Sequence, residues 1–181
     1  MSAKRRNPHP LTSARLEELA LAYVARFATT QAKLGAYLRR KLRERGWEGE
    51  GTPPVEALVN RYADLGYVDD AVWARLKAGS LLQRGYGARR VSEALGQAGI
   101  EDQVRLQMRP LEGAQRRAAL VMARRRRFGP FAMQALDRPM REKQIGAMLR
   151  AGHTLDIARW IVNASDPETV EEWADSAFGE D

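Results

Sequence analysis

Residues 66–100 read GYVDDAVWARLKAGSLLQRGYGARRVSEALGQAGI. Two acids, Asp69 and Asp70, precede an apolar-rich run, where carboxylates accept hydrogen bonds from the free N–H groups of a helix start and suit its positive end. The run predicts a helix to about Arg84. Gly85-Tyr86-Gly87 then makes a turn, and Ala88 to Ala98 form a second helix with Val91, Ala94 and Leu95 inward. That helix ends at Gly99, a residue that takes the left-handed cap conformation at little cost. Glu101 to about Met108 supplies a short third helix. Helix, turn, helix, glycine, short helix is the reading of this stretch.

The same order of signals recurs on both sides. Upstream, Leu16, Leu19, Ala20, Tyr23, Val24 and Phe27 form an amphipathic stripe. Thr29 or Thr30 starts a second helix carrying Leu34, Leu38 and Leu42 and stopping at Gly46. After a loop over 47–54, Pro54 opens a third helix with Val55, Leu58, Val59 and Tyr62, which ends near Gly66. Downstream, a helix runs from about Glu112 to Phe128, breaks at Gly129-Pro130, resumes after Pro139, ends at Gly152 and restarts at Thr154. Gly46, Gly99 and Gly152 are evenly spaced, fifty-three positions apart, and each follows by four an apolar residue: Leu42, Leu95 or Met148. No alternating β-branched stretch exceeds about four residues. The expected fold is therefore all-α: a basic disordered tail over 1–12, three-helix repeats over 13–66, 67–110 and 111–164, and an acidic amphipathic helix over 165–181. Units of about fifty residues bury too little surface alone, so they are expected to stack into an elongated, curved body.

Charge is segregated along the chain. Of 30 Lys and Arg, none follows Arg159, whereas the segment 166–181 holds seven of the 23 acids. Residues 1–165 thus carry a surplus of fourteen positive charges. Arg outnumbers Lys 25 to 5, which favours bidentate contact with phosphate or carboxylate. A polyanionic partner is one reading of this excess, and an ordinary solvated surface written in arginine is the other.

Cysteine is absent and His9 and His153 are the two histidines, which argues against thiolate chemistry, disulfides and a metal centre. No apolar run is long enough for a bilayer, and the N-terminal residues lack a secretion signal's apolar core, so a cytoplasmic protein is expected. The chain has no GxxxxGK[ST] loop, no third glycine after Gly85-Tyr86-Gly87, and no serine in a nucleophile-elbow setting. Catalysis and cofactors are not expected. Capping explains Asp69-Asp70, and His153, just past a helix end, reads as a polar cap or surface residue.

Binding surface remains. Arg84, Tyr86, Arg89 and Arg90 surround the Gly-flanked turn and can grip an anion together. Alternatively, Arg84 serves the helix dipole and Tyr86 packs inward. Arg116, Arg117 and the run Arg124, Arg125, Arg126 and Arg127 form the densest basic tract. Four consecutive residues on a helix span most of its circumference, so one arginine is expected to snorkel across apolar neighbours. At the acidic end, Val170, Trp173, Ala174, Ala177 and Phe178 repeat at helical spacing. This helix either covers the last repeat through Trp173 or competes with a polyanion for the basic body.

Gly66-Tyr67-Val68-Asp69-Asp70, Trp73-Ala74, Arg84-Gly85-Tyr86-Gly87, Arg90-Val91, Leu95 and Gly99-Ile100 closely resemble the core signature of the RecX family of recombinase regulators. The resemblance extends to Leu34, Leu38, Leu42 and Gly46, and to Arg124–Phe131 with Arg150–His153, covering about residues 14–163. It implies three tandem three-helix repeats. It also implies a non-enzymatic protein that associates with the RecA recombinase filament on DNA, limiting filament growth, strand exchange and co-protease activity, without cofactor or metal; a monomer is expected. Direct nucleic-acid binding without a recombinase is the alternative. Two positions depart from the pattern. Thr30 and Lys33 replace the usual Ser and Glu, which removes a capping box and predicts a frayed helix start. Trp73 replaces the usual Phe. The acidic tail lies outside the shared pattern.

Overall fold

The computed structural model describes residues 9–176. Among them are ten α-helices: α1 (Ser13–Arg26), α2 (Gln31–Arg45), α3 (Val55–Asp64), α4 (Asp70–Gln83), α5 (Ala88–Gln97), α6 (Asp102–Gln107), α7 (Glu112–Arg126), α8 (Arg138–Arg150), α9 (Leu155–Asn163) and α10 (Pro167–Ser176), with a 3-10 turn at Gly129–Phe131. The fold is all-α. Two compact units divide the chain, one comprising residues to Trp73 together with Ala98–Ile100, the other comprising Ala74–Gln97 and the chain from Glu101 onward.

In the first unit, the apolar stripes read from the sequence meet. Leu16 and Ala20 of α1, Leu34 and Leu38 of α2, and Val55, Leu58, Val59 and Tyr62 of α3 form one buried core. Tyr23 stacks on Tyr37 with ring centroids 4.2 Å apart. Phe27, expected on the stripe of α1, is 49% exposed because the chain leaves the helix there. Of the expected N-terminal tail, residues 1–8 lie outside the described residues. Leu11 departs from that expectation. It is fully buried, and its N–H donates to the Gly46 carbonyl while its own carbonyl accepts from Glu48 N–H. An apolar side chain beside Thr12, the cap of α1, gains more from the core than the backbone loses in freedom.

The start of α2 is well held rather than frayed. Thr30 is fully buried, and its hydroxyl accepts from Lys33 N–H at 3.2 Å while donating to the Ala98 carbonyl at 2.6 Å. Asp70 supplies the missing acid from elsewhere in the sequence, accepting from Gln31 N–H at 2.9 Å. The capping box is thus replaced by a tertiary one. Gly99, at φ +75°, lies so close to Ala32 that a Cβ there would overlap the alanine methyl.

In the second unit, α7 packs against α9 and α10, and α8 against α9. Ala119 and Ala123 let neighbouring helices approach, and Met122, Met148, Ile161 and Val170 fill the space between them. Trp173 of α10 stacks on Trp160 of α9 at 4.2 Å. Ala177 and Phe178, read as further positions of this helix, lie outside the described residues. Buried Gln144 accepts from Gly129 N–H at 2.8 Å and so fixes the turn between α7 and α8.

Candidate functional site

The Gly-flanked turn 84–90 is a packing device as well as a surface. Gly85, at φ +81°, ends α4, and a Cβ on it would stand 2.9 Å from the Met122 backbone nitrogen. A Cβ on Gly87 would overlap the Gly152 carbonyl. Gly87 N–H donates to the Ala151 carbonyl at 2.9 Å, and Arg89 N–H to the Gly152 carbonyl at 3.2 Å. His153 completes the clasp. It is 5% exposed, and its Nε2 lies 3.0 Å from the Gly85 carbonyl oxygen. Burial lowers the His153 pKa, and the bond to Gly85 opposes this only in part. The residue is therefore a neutral internal strut with Nε2–H as donor to the Gly85 carbonyl; of the two readings, polar cap or surface residue, its burial excludes the second.

Three arginines stand on this clasp. Arg84 is exposed and lies over the Tyr86 ring at 5.4 Å from its centroid. Arg89 donates from its guanidinium to the Leu149 carbonyl at 2.6 Å, capping the last turn of α8, and also approaches Glu93. Arg90 shares Glu93 at 3.5 Å. Part of the turn's positive charge is thus spent on its own scaffold.

The tract 124–127 is built differently. Helix α7 stops at Arg126, and Arg127 takes the left-handed conformation at φ 57°, with Phe128 N–H returning to the Ala123 carbonyl at 2.9 Å. Because the helix ends inside the tract, none of Arg124, Arg125, Arg126 and Arg127 has to cross the apolar face, and all four are exposed. The expected snorkelling arginine does not occur. Three arginines in the last turn also complement the helix dipole. Arg124 pairs with Glu171 of α10 and lies near the Phe131 ring. Arg125 and Arg126 enter no ion pair among the described residues.

Arg116 and Arg117, placed with this tract by the sequence, are half-buried. Arg116 pairs with Glu112, donates to the Trp173 carbonyl at 3.2 Å and the Ser176 hydroxyl at 3.3 Å, and lies over the Trp173 ring at 4.9 Å. It fastens α10 to α7.

Two further cations were missed. Lys143 and Arg150, with Arg126 and Arg127, line a groove between α8 and the segment following α7. The signal was present, since Met140, Lys143, Ala147 and Arg150 fall on one face of a helix at spacings of three and four. Helix α8 therefore joins the two arginine clusters: the Leu149 carbonyl holds Arg89, and Arg150 faces the groove that Arg126 and Arg127 line.

The remaining signature residues build the first unit. Gly66 ends α3 at φ +75°, Tyr67 packs edge-on against Tyr62, and Asp69 accepts from Val72 N–H at 2.8 Å as the cap of α4. Trp73 receives Lys33 over its ring at 4.2 Å. Among the described residues, no three His, Asp or Glu gather to hold a metal, and no helix is long and apolar enough to cross a membrane.

No protein-family model matches the chain. Curated proteins do. The chain is 30% identical to the regulatory protein RecX of Myxococcus xanthus (strain DK1622) over 169 residues, covering 88% of this chain and 90% of that protein. It is 31% identical to the regulatory protein RecX of Thermobifida fusca (strain YX) over 176 residues, covering 94% and 93%. A crystal structure of RecX from Lactobacillus salivarius superposes with a TM-score of 0.65 at 16% identity, covering 91% of this chain and 97% of that one. At that identity the superposition speaks for the fold.

Proposed function

The chain belongs to the RecX family, and from that premise we propose that it is a non-enzymatic regulator of homologous recombination and DNA repair that binds the RecA–DNA filament. By occupying the filament it inhibits extension, strand exchange and co-protease activity, in the cytoplasm and as a monomer. The repeats 13–66, 67–110 and 111–164 are the units of that binding, and several linked contacts would add avidity no single one has. One observation carries the assignment of the contact surface: the exposed tract Arg124–Arg127 and the turn Arg84–Arg90 both adjoin the C-terminal end of α8. Cations gathered there suit the acids of a protein filament or the phosphates it holds.

The test is RecA-dependent ATP hydrolysis on single-stranded DNA, with this protein added in substoichiometric amounts. Suppression is expected; hydrolysis unchanged at every ratio would refute the proposal. The second reading, direct nucleic-acid binding without a recombinase, draws on the same exposed arginines. It requires that naked DNA be held as tightly as recombinase-coated DNA, with affinity falling steeply as salt rises.

A further inference from the structure

The groove between α8 and the segment following α7 has a volume of about 740 Å³, within the ordinary range for a recognition pocket. Its composition is specific. Arg126, Arg127, Lys143 and Arg150 stand around it, and its one acid, Asp137, is engaged as the cap of α8 by Met140 N–H at 2.8 Å. Phe128, Met133, Leu136 and Met140 line it as well. Met133 is 79% exposed and Met140 48% exposed. Unbranched thioethers at a surface adapt to whatever apolar group is laid on them. No ion pair among the described residues neutralises Arg126, Lys143 or Arg150.

Cations and exposed apolar side chains lining one groove call for an occupant that brings negative charge and an apolar side chain together. Phosphate contacts alone need no such apolar lining. Of the acids of α10, Glu171 is paired with Arg124. The cations of the groove call for carboxylates that its own lining does not supply, Asp137 being engaged as a cap, and this charge complementarity points to an acidic segment of a partner. We propose that this groove is a docking site for an acidic peptide segment carrying a bulky apolar side chain. The carboxylates pair with Arg126, Arg127, Lys143 and Arg150, and the apolar side chain seats between Met133, Leu136 and Met140. The site shares Arg126 and Arg127 with the surface assigned to the filament and to that extent rests on the same reading. It specifies the chemistry of the partner as acidic protein rather than nucleic acid.

The test titrates the full chain with a fluorescently labelled peptide Asp-Glu-Asp-Phe-Glu-Asp, in the absence of recombinase and DNA. Failure of the filament role and failure of the groove thus remain separate results. Saturable binding is expected below about 1 mM, weakened about tenfold when the peptide's Phe is replaced by Ser and at least as much by Lys143→Glu/Arg150→Glu. Both substituted side chains are exposed, and an unchanged helical circular-dichroism signal verifies the fold. If that variant loses its helical signal, Met133→Glu, at a residue 79% exposed, takes its place with the same expected loss. Absence of saturation would overturn the proposal, as would equal affinity for the Phe and Ser peptides. A short oligothymidine that displaces the peptide at lower concentration would assign the groove to nucleic acid. Self-association of the chain that the charge reversal abolishes, without peptide binding, would assign it to a second copy. Either result overturns the acidic-peptide site.

Discussion

Arginines 84–90 and 124–127 look alike in sequence, each set lying beside a glycine break, yet they stand on different supports. The first set surrounds glycines with no space for a side chain, backed by a buried histidine and two backbone hydrogen bonds to the corner between α8 and α9. There, Arg89 and Arg90 are partly engaged by Leu149 and Glu93. The second set extends from a helix end, and among the described residues only Arg124 of the set is in an ion pair. A cluster of arginines in the sequence therefore does not by itself mean available charge. Substitutions of the glycines and His153 around the turn are expected to act through stability, and those of the tract, on the proposed function, through binding.

The contrast has consequences of graded size. Gly87→Ala is expected to cost about 3 kcal/mol, because backbone on the far side cannot yield to the added methyl. Urea unfolding of the variant would read this as a lowered midpoint, and an unchanged midpoint would dissolve the distinction between the two sets. His153→Ala should cost about 2 kcal/mol, from the space left and the Gly85 carbonyl deprived of its donor. The same residue sets a pH dependence. Since burial lowers the folded-state pKa of His153, the unfolded chain binds its proton first. Its contribution to stability is complete above about pH 6.5 and declines as pH falls below that value. Unfolding midpoints measured from neutral to mildly acidic pH should show a decline that is smaller in His153→Ala.

Arg116→Ala should loosen α10 at a cost of about 1 kcal/mol, through the lost contacts to Trp173 and Ser176. A shift in tryptophan emission would report it. Smallest in stability is Arg125→Glu/Arg126→Glu, expected within about 0.5 kcal/mol of the parent because both side chains lie in solvent and relief of repulsion within the run offsets the lost interaction with the helix end. A larger destabilisation would mean that the tract, too, is structural.

The helices were legible because each apolar stripe was complete in its own segment, and the three stop glycines all prove to have positive φ: Gly46, Gly99 and Gly152. Two of the apolar residues four positions before them, Leu95 and Met148, are fully buried. Features made by distant partners were not legible. The acid that steadies α2 is Asp70, on another helix, and the burial of His153 depends on a glycine turn far upstream in the sequence. The end of α7 within the tract also escaped, since Arg127 is a non-glycine residue in the left-handed region, a conformation that costs about 1 kcal/mol and is disfavoured for its residue type. Lys143 and Arg150 escaped for a simpler reason: their shared helix face was legible in the spacing, but what that face opposes is given only by the segment following α7.

Recombinase ATP hydrolysis on single-stranded DNA, compared between the parent chain and Arg125→Glu/Arg126→Glu at equal substoichiometric amounts, puts the exposed tract to the most direct test. The expected result is suppression by the parent and about tenfold weaker suppression by the variant, with unfolding midpoints that coincide. Full suppression by a variant whose charge has been reversed there would contradict the assignment of the tract as the contact surface.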